Sequence, residues 1–378
     1  MSGPASPSPS RRRVLVVDDS TFMRMVLRRI IEAGSELAVV GEARNGREAV
    51  ELARDLKPDI ITMDVEMPEL DGLAAMKQIL AGPPPKPIMI MVSGHTQRGT
   101  ETTIKALSLG AVDFVSKSSS FAAEDLGHVD SELSEKLRYW ARQPALTAAR
   151  PEPRKAPLAP PDTRAAATSA GPVLQPQSPR GKVDLVVVAS STGGPQILAG
   201  FLRSAAPLGA PMVIAQHMPA QFTASLANLL RSETGLDVRE GAHRMALPAG
   251  SVTIIPGGGD AIVASVAAGY ELRLTTHEAL VHPCADLLFE TAAMVARHPV
   301  AVILTGMGSD GTKGGAQFLR RQLPVLVQDP KTCVVGGMPS AAIEAGVATE
   351  SLPPAGIGRK LVLWTGPSYT PRAKMAET

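Results

Sequence analysis

VDLVVVASSTGGPQ, residues 183–196, decides the fold: an aliphatic run passes straight into two serines, two glycines and a proline. An unbroken row of Val and Leu reads as a strand buried on both faces, the kind found in parallel sheets. Pro195, after Gly193 and Gly194, suits a first helical turn, where its missing N–H would be unpaired anyway. Ser191 thus stands at the carboxyl end of a strand, and the glycines after it leave room for a substrate. The pattern recurs downstream. PMVIAQ (211–216), PVAVILTG (299–306) and PVLVQD (324–329) read as further strands, with helices starting near Phe222, Asp286 and Thr312. Short β-rich runs around PGGGD, within 251–275, predict an antiparallel excursion.

The same alternation fills the first third of the chain. Strands are expected at Val14–Val17, Ala38–Gly41, Ile60–Met63, Ile88–Val92 and Asp113–Val115, with a helix over Phe22–Ile31 whose apolar positions are 22, 26 and 30. Alternating strands and helices imply parallel, doubly wound sheets, in which ligands collect at the carboxyl ends of the strands. Residues 144–180 carry nine prolines and almost no large apolar groups, so they cannot offset their ordering entropy by burial and read as a linker. The organisation expected is a disordered segment over 1–12, a domain over 13–142, a Pro-rich linker over 143–181, a second domain over 182–365 and a flexible tail over 366–378.

Composition narrows the function classes. The 378 residues suffice for two domains of roughly 100–200 residues each. Basic residues number 38 and acidic 36; apart from Arg11–Arg13 the basic ones are scattered, which excludes a nucleic-acid footprint. Cys284 and Cys333 form no C-x-x-C pair and predict neither a zinc site nor a disulfide. MSGPASPSPSRRR lacks the apolar core of a signal peptide, and no apolar run approaches membrane-spanning length. A soluble cytoplasmic protein without direct membrane insertion is expected.

In the first domain, Asp18 and Asp19 close one strand and Asp64 closes another. Parallel strands would bring these carboxylates to one pocket, where their repulsion calls for a hard divalent cation such as Mg²⁺. Ser93 and Lys117 follow the fourth and fifth strands at the same edge, a hydroxyl and an ammonium suited to the oxygens of a phosphoryl group on Asp64. LVVDDS (15–20), DVEMPELDG (64–72), MVSGH (91–95) and DFVSK (113–117) together resemble a response-regulator receiver domain. The resemblance implies Asp64 as phosphoacceptor, with Mg²⁺ held by Asp19, Asp64 and the Glu66 carbonyl with support from Asp18. It also implies Ser93 and Phe114 as switch positions. Ser118 departs from the family, which usually has proline after the lysine.

In the second domain, a serine hydroxyl needs a base to become nucleophilic. His217 closes the strand VIAQ, and Asp310 follows the strand VAVILTG, so a serine, a histidine and a carboxylate arrive at one sheet edge. Backbone N–H groups at the helix start after Ser191 could face an oxyanion. A glycine-rich turn can instead cradle phosphate, but no G-x-G-x-x-G or lysine accompanies this one.

SSTGGPQ (190–196), AQHMPAQFT (215–223), LTGMGSDG (304–311) and QDPKTCVVGGMPSAA (328–342) resemble the catalytic domain of CheB-type chemotaxis methylesterases, a Rossmann-like fold. The resemblance implies Ser191 as nucleophile, His217 as general base and Asp310 as its orienting partner, with Thr192 and Met307 beside the oxyanion pocket. It implies glutamate γ-methyl esters on chemoreceptor cytoplasmic domains as substrate, some deamidation of glutamine, a chemotaxis histidine kinase as phosphoryl donor, recruitment to receptor arrays and no cofactor for the ester chemistry. Ser190 and Asp260 stand where the family commonly has alanine and histidine. The residues leave open a non-catalytic signalling adaptor, and a same-fold esterase acting on a non-chemotactic receptor.

Overall fold

The computed structural model describes residues 11–94, 96–117, 126–142, 174 and 177–366. The chain divides into two compact units, Met1–Thr168 and Ser169–Thr378. Most of the expected linker, the segment before Arg11 and the tail beyond Gly366 lie outside the described residues.

The first unit alternates strand and helix: β1 (Arg12–Val17), α1 (Thr21–Glu32), β2 (Leu37–Ala43), α2 (Gly46–Leu56), β3 (Ile60–Asp64), α3 (Gly72–Ala81), β4 (Ile88–Ser93), α4 (Gln97–Leu109), β5 (Asp113–Ser116) and α5 (Leu126–Arg142). β1 thus begins at Arg12, one residue before the expected domain start. The sheet is parallel, in the order β2-β1-β3-β4-β5. Strand order reverses between β1 and β3, which opens a crevice at their carboxyl ends. α1 corrects one expectation. Its buried stripe is Met23, Leu27, Ile30 and Ile31, while Phe22 is 52% exposed. An i, i+4, i+7, i+8 face packs on the sheet; of the expected positions Ile30 belongs to it, Val26 is half-buried at its margin and Phe22 lies outside it.

The second unit opens with β6 (Leu185–Ser190), α6 (Gly194–Ser204), β7 (Met212–Gln216), α7 (Ala220–Thr234), β8 (Val238–Glu240), β9 (Met245–Ala246) and β10 (Val252–Ile254). It continues with β11 (Asp260–Val266), β12 (Gly269–Thr275), α8 (Ala285–Val295), β13 (Pro299–Ile303), α9 (Thr312–Arg320), β14 (Val325–Gln328), α10 (Gly337–Glu344), β15 (Glu350–Leu352) and α11 (Pro354–Thr365). The main sheet is parallel, in the order β15-β14-β13-β6-β7-β10-β8. Its strand order reverses at β6, between β7 on one side and β13 on the other. The antiparallel excursion is real but shorter than expected. β11 and β12 form a hairpin with β9, whereas Val252–Ile254 belongs to the parallel sheet between β7 and β8. Burial of all three β10 residues explains that membership.

Both faces of β6 are buried, as its run of Val requires. α8 packs beside α9 through Phe289, fully buried, whose ring lies 5.9 Å from that of Phe318 at 61°. This contact fixes two helix N-termini at the carboxyl edge of the sheet. Phe289→Ala is expected to destabilise the second unit by about 3–5 kcal/mol, read as a lower denaturant midpoint for its unfolding. A midpoint equal to the parent's would contradict this packing account.

Candidate active site

Three neighbouring strands, β13, β6 and β7, deliver the expected hydrolase residues to one edge. Ser191 directly follows β6 and His217 directly follows β7; Asp310 lies in the loop between β13 and α9. The turn after Ser191 depends on Gly193, whose φ of 79° lies in the left-handed region and whose Cβ would collide with Val334. Ser191 is half-buried; its N–H donates to the Thr305 carbonyl at 3.0 Å. Gly306 lets the next loop approach it, since a Cβ there would come within 2.7 Å of Ser191 Cβ. Met307 follows in that loop, half-buried. Thr192 is buried, and its carbonyl accepts from Thr305 Oγ1 at 3.0 Å.

His217 Nε2 lies 2.7 Å from Asp310 Oδ2, with the two side chains only 11% and 8% exposed. Nδ1 is therefore the ring nitrogen turned away from the carboxylate. No hydrogen bond joins Ser191 Oγ to His217 among the described residues, so the structure closes the histidine–aspartate pair and leaves the serine beside it. Such bonds are commonly loose before substrate arrives.

Asp310 also accepts N–H bonds from Ala285 (2.7 Å), Asp286 (2.9 Å) and Gly311 (3.0 Å). The first two are the opening residues of α8, whose dipole favours a negative charge there. Burial pushes the Asp310 carboxyl up, but the bonds from His217 and these N–H groups outweigh it and hold its pKa below the usual value. Asp286 moves the other way, raised by burial against its bond from Gly314 N–H and further by the charge of Asp310. Of the two adjacent carboxyls, Asp310 is the one whose surroundings favour the charged form. Cys284, whose Sγ is 3.8 Å from Asp310 Oδ1, is pushed up to about 11, chiefly by burial, and so stays a thiol.

In the first unit, carboxylate oxygens of Asp18, Asp19 and Asp64 lie within 4.8 Å of one another. Lys117 Nζ contacts Asp18 Oδ2 and Asp64 Oδ2, each at 2.8 Å. Burial raises the Asp64 pKa to about 6, with Lys117 pulling it down and Asp18 pushing it up. Asp18 is likewise raised by burial against Lys117, and Lys117 is held above its usual value by Asp64 and Asp18 despite its burial. Three carboxylates facing one ammonium form an all-oxygen donor set short of positive charge, which fits a hard cation such as Mg²⁺. Glu66 follows two residues after Asp64, with its N–H 3.4 Å from Asp64 Oδ1 and its carboxylate accepting from Thr96 Oγ1 at 3.0 Å. Ser93 is buried at the end of β4, and Phe114 is buried on β5.

Several supporting groups were passed over in the sequence. Lys136 of α5 reaches Asp113 Oδ1 at 3.0 Å and the Phe114 carbonyl at 2.6 Å, fixing β5 from beneath. Asp260, fully buried, accepts from Cys284 N–H at 2.6 Å and pairs with His282 Nδ1 at 2.8 Å, tying down the entry to α8. The aspartate in place of histidine at 260 was a visible signal, but its partner sits 22 residues away.

The family profile described as CheB methylesterase matches residues 186–361, and that of the response regulator receiver domain matches residues 14–126. A protein-glutamate methylesterase/protein-glutamine glutaminase of Nocardioides sp. is 38% identical, covering 93% of this chain and 94% of that protein. The protein of the same name from Thermotoga maritima is 40% identical over 93% of this chain and 97% of its own length. The crystal structure of the Thermotoga maritima CheB methylesterase catalytic domain is 36% identical, covering 48% of this chain and 97% of that one at a TM-score of 0.44. With alignment running through both units of the curated relatives, the chain belongs to the CheB family of protein-glutamate methylesterases/protein-glutamine glutaminases, carboxylic ester hydrolases, and carries a receiver domain ahead of the hydrolase domain.

Proposed function

We propose that this chain hydrolyses glutamate γ-methyl esters on the cytoplasmic domains of methylated chemoreceptors, releasing methanol, and deamidates receptor glutamines at the same site. The observation that carries the reading is the buried His217–Asp310 pair at 2.7 Å, one strand from Ser191. Family membership and the names of the relatives support the substrate class.

Ser191 Oγ attacks the ester carbonyl while His217 Nδ1 takes its proton, and ionised Asp310 stabilises the imidazolium and holds the ring. N–H groups around Thr192 at the head of α6 and in the Met307 loop face the oxyanion. Collapse of the tetrahedral species transfers the proton to the departing methoxide, so methanol leaves an acyl-Ser191. Water, deprotonated by His217, then releases the glutamate carboxylate. A glutamine follows the same course with ammonia as leaving group.

In the receiver, Asp64 accepts a phosphoryl group from a chemotaxis histidine kinase. Asp18, Asp19, Asp64 and the Glu66 carbonyl would hold Mg²⁺, which supplies positive charge for the transferring phosphoryl group when bound. Lys117 turns from the free carboxylates to the new phosphoryl oxygens, Ser93 donates its hydroxyl, and Phe114 responds. The unphosphorylated receiver hinders receptor access, and phosphorylation shifts that equilibrium. The enzyme works in the cytoplasm, recruited to receptor arrays; among the described residues no helix is long and apolar enough to cross a membrane.

Ser191→Ala is expected to abolish methanol release from methyl-esterified receptor fragments with circular dichroism unchanged. Asp310→Asn is expected to lower kcat about 10⁴-fold, the cost of losing an orienting carboxylate; near-parent rates in either variant would refute the triad. Acetyl phosphate with Mg²⁺ is expected to label the parent and raise its methanol release. Asp64→Asn should show neither effect, and labelling that persists in it would move the phosphoacceptor elsewhere.

A further inference from the structure

The nucleophile and the base leave the sheet from adjacent strands, and something must keep them in register after the sheet ends. Ser190 pairs with Gln216 across β6 and β7, and the last backbone bond runs from His217 N–H to the Ser190 carbonyl at 2.9 Å. Past that point a side chain takes over. Gln216 Nε2 donates to the Ser191 carbonyl at 3.0 Å and to the His217 carbonyl at 3.2 Å. Gln216 is 1% exposed, so these bonds form away from water.

A primary amide carries two N–H donors on one uncharged atom, and here each meets the peptide of a different catalytic residue. The acceptors also settle which way the amide faces, since turned over it would set Oε1 against two carbonyl oxygens. Oε1 itself packs against Gly194, as does the buried Ser190 Oγ; a Cβ at 194 would collide with both. Glycine at that position is therefore what gives the amide room to span the two strand ends.

We infer that Gln216 is a positioning residue of the esterase, a clamp that fixes the spacing between the backbones of Ser191 and His217. The inference rests on the Ser191–His217–Asp310 reading. Because no hydrogen bond joins Ser191 Oγ to the imidazole at rest, the distance from which that bond must form is set by the backbone, and Gln216 sets the backbone. A displacement of about 1 Å at reacting groups can cost about 10²-fold in rate.

The test uses the full-length chain on methyl-esterified receptor cytoplasmic fragments, with kcat and KM of methanol release measured for Gln216→Met and Gln216→Glu. Met keeps the length and loses both donors; Glu keeps the shape and turns oxygen toward the two carbonyls. Both are expected to lose about 10- to 100-fold in kcat with KM within about twofold, and the rate at which a fluorophosphonate modifies Ser191 should fall in parallel. A kcat equal to the parent's, or a loss confined to KM, would overturn the clamp. If both variants fail to fold, the parent labelled with [¹⁵N]glutamine supplies the answer. A side-chain N–H pair protected from exchange and shifted by modification of Ser191 supports the clamp, and absence of such a pair refutes it. A parent that takes up fluorophosphonate at Ser191 but releases no methanol would refute the substrate reading alone, leaving the clamp to be judged by labelling rates.

Discussion

Asp310 accepts from His217 at 2.7 Å while the first N–H groups of α8 donate to it from the other side, and the geometry of the candidate site in the second unit depends on that arrangement. A carboxylate this buried would ordinarily take up a proton. Here the helix N-terminus and the imidazole keep it charged, so it can fix the ring and stabilise a positive charge upon it. The requirement spreads outward: α8 must start at one point, which Asp260 secures through Cys284 N–H, and must keep its angle to α9, which Phe289 and Phe318 secure. Much of the packing around that sheet edge holds one carboxylate in place.

Both units exploit the same topological fact. In each, strand order reverses, and the loops at the reversal part to leave a crevice at the carboxyl edge. In the first the crevice separates the ends of β1 and β3, and it gathers acidic groups. In the second it lies beside β6, and it gathers a hydroxyl, an imidazole and a carboxylate. One architecture thus gathers an acidic pocket in one unit and a serine, histidine and carboxylate in the other, the difference lying in the few residues that end the strands.

What the sequence revealed follows from what short-range pattern can encode. Strands such as LVVV at 185–188 were legible because burial on both faces demands an unbroken aliphatic run. The placement of Ser191, His217 and Asp310 at one sheet edge was legible because each ends such a run or follows it closely. The face of α1 was misread because Phe22 is apolar yet sits outside the buried stripe, and apolarity alone does not report which side meets the sheet. Val252–Ile254 was assigned to the antiparallel excursion because a three-residue strand carries too few positions to reveal its partner. Gln216 and Lys136 escaped because each bonds a main-chain carbonyl remote in the chain, 25 and 22 residues away, which leaves no mark on residue type; Asp260 was visible as a departure, but its partner His282 was not.

The central claim is that Ser191, and not the adjoining Ser190, is the nucleophile activated by the His217–Asp310 pair. Ser190 Oγ is fully buried, whereas Ser191 is half-open at the strand end. The most direct measurement is to treat the full-length protein with a fluorophosphonate, digest it and locate the adduct by tandem mass spectrometry. The account expects a single adduct on Ser191, suppressed when His217 is replaced by alanine. An adduct on Ser190, or labelling of Ser191 that proceeds unchanged without His217, would contradict it.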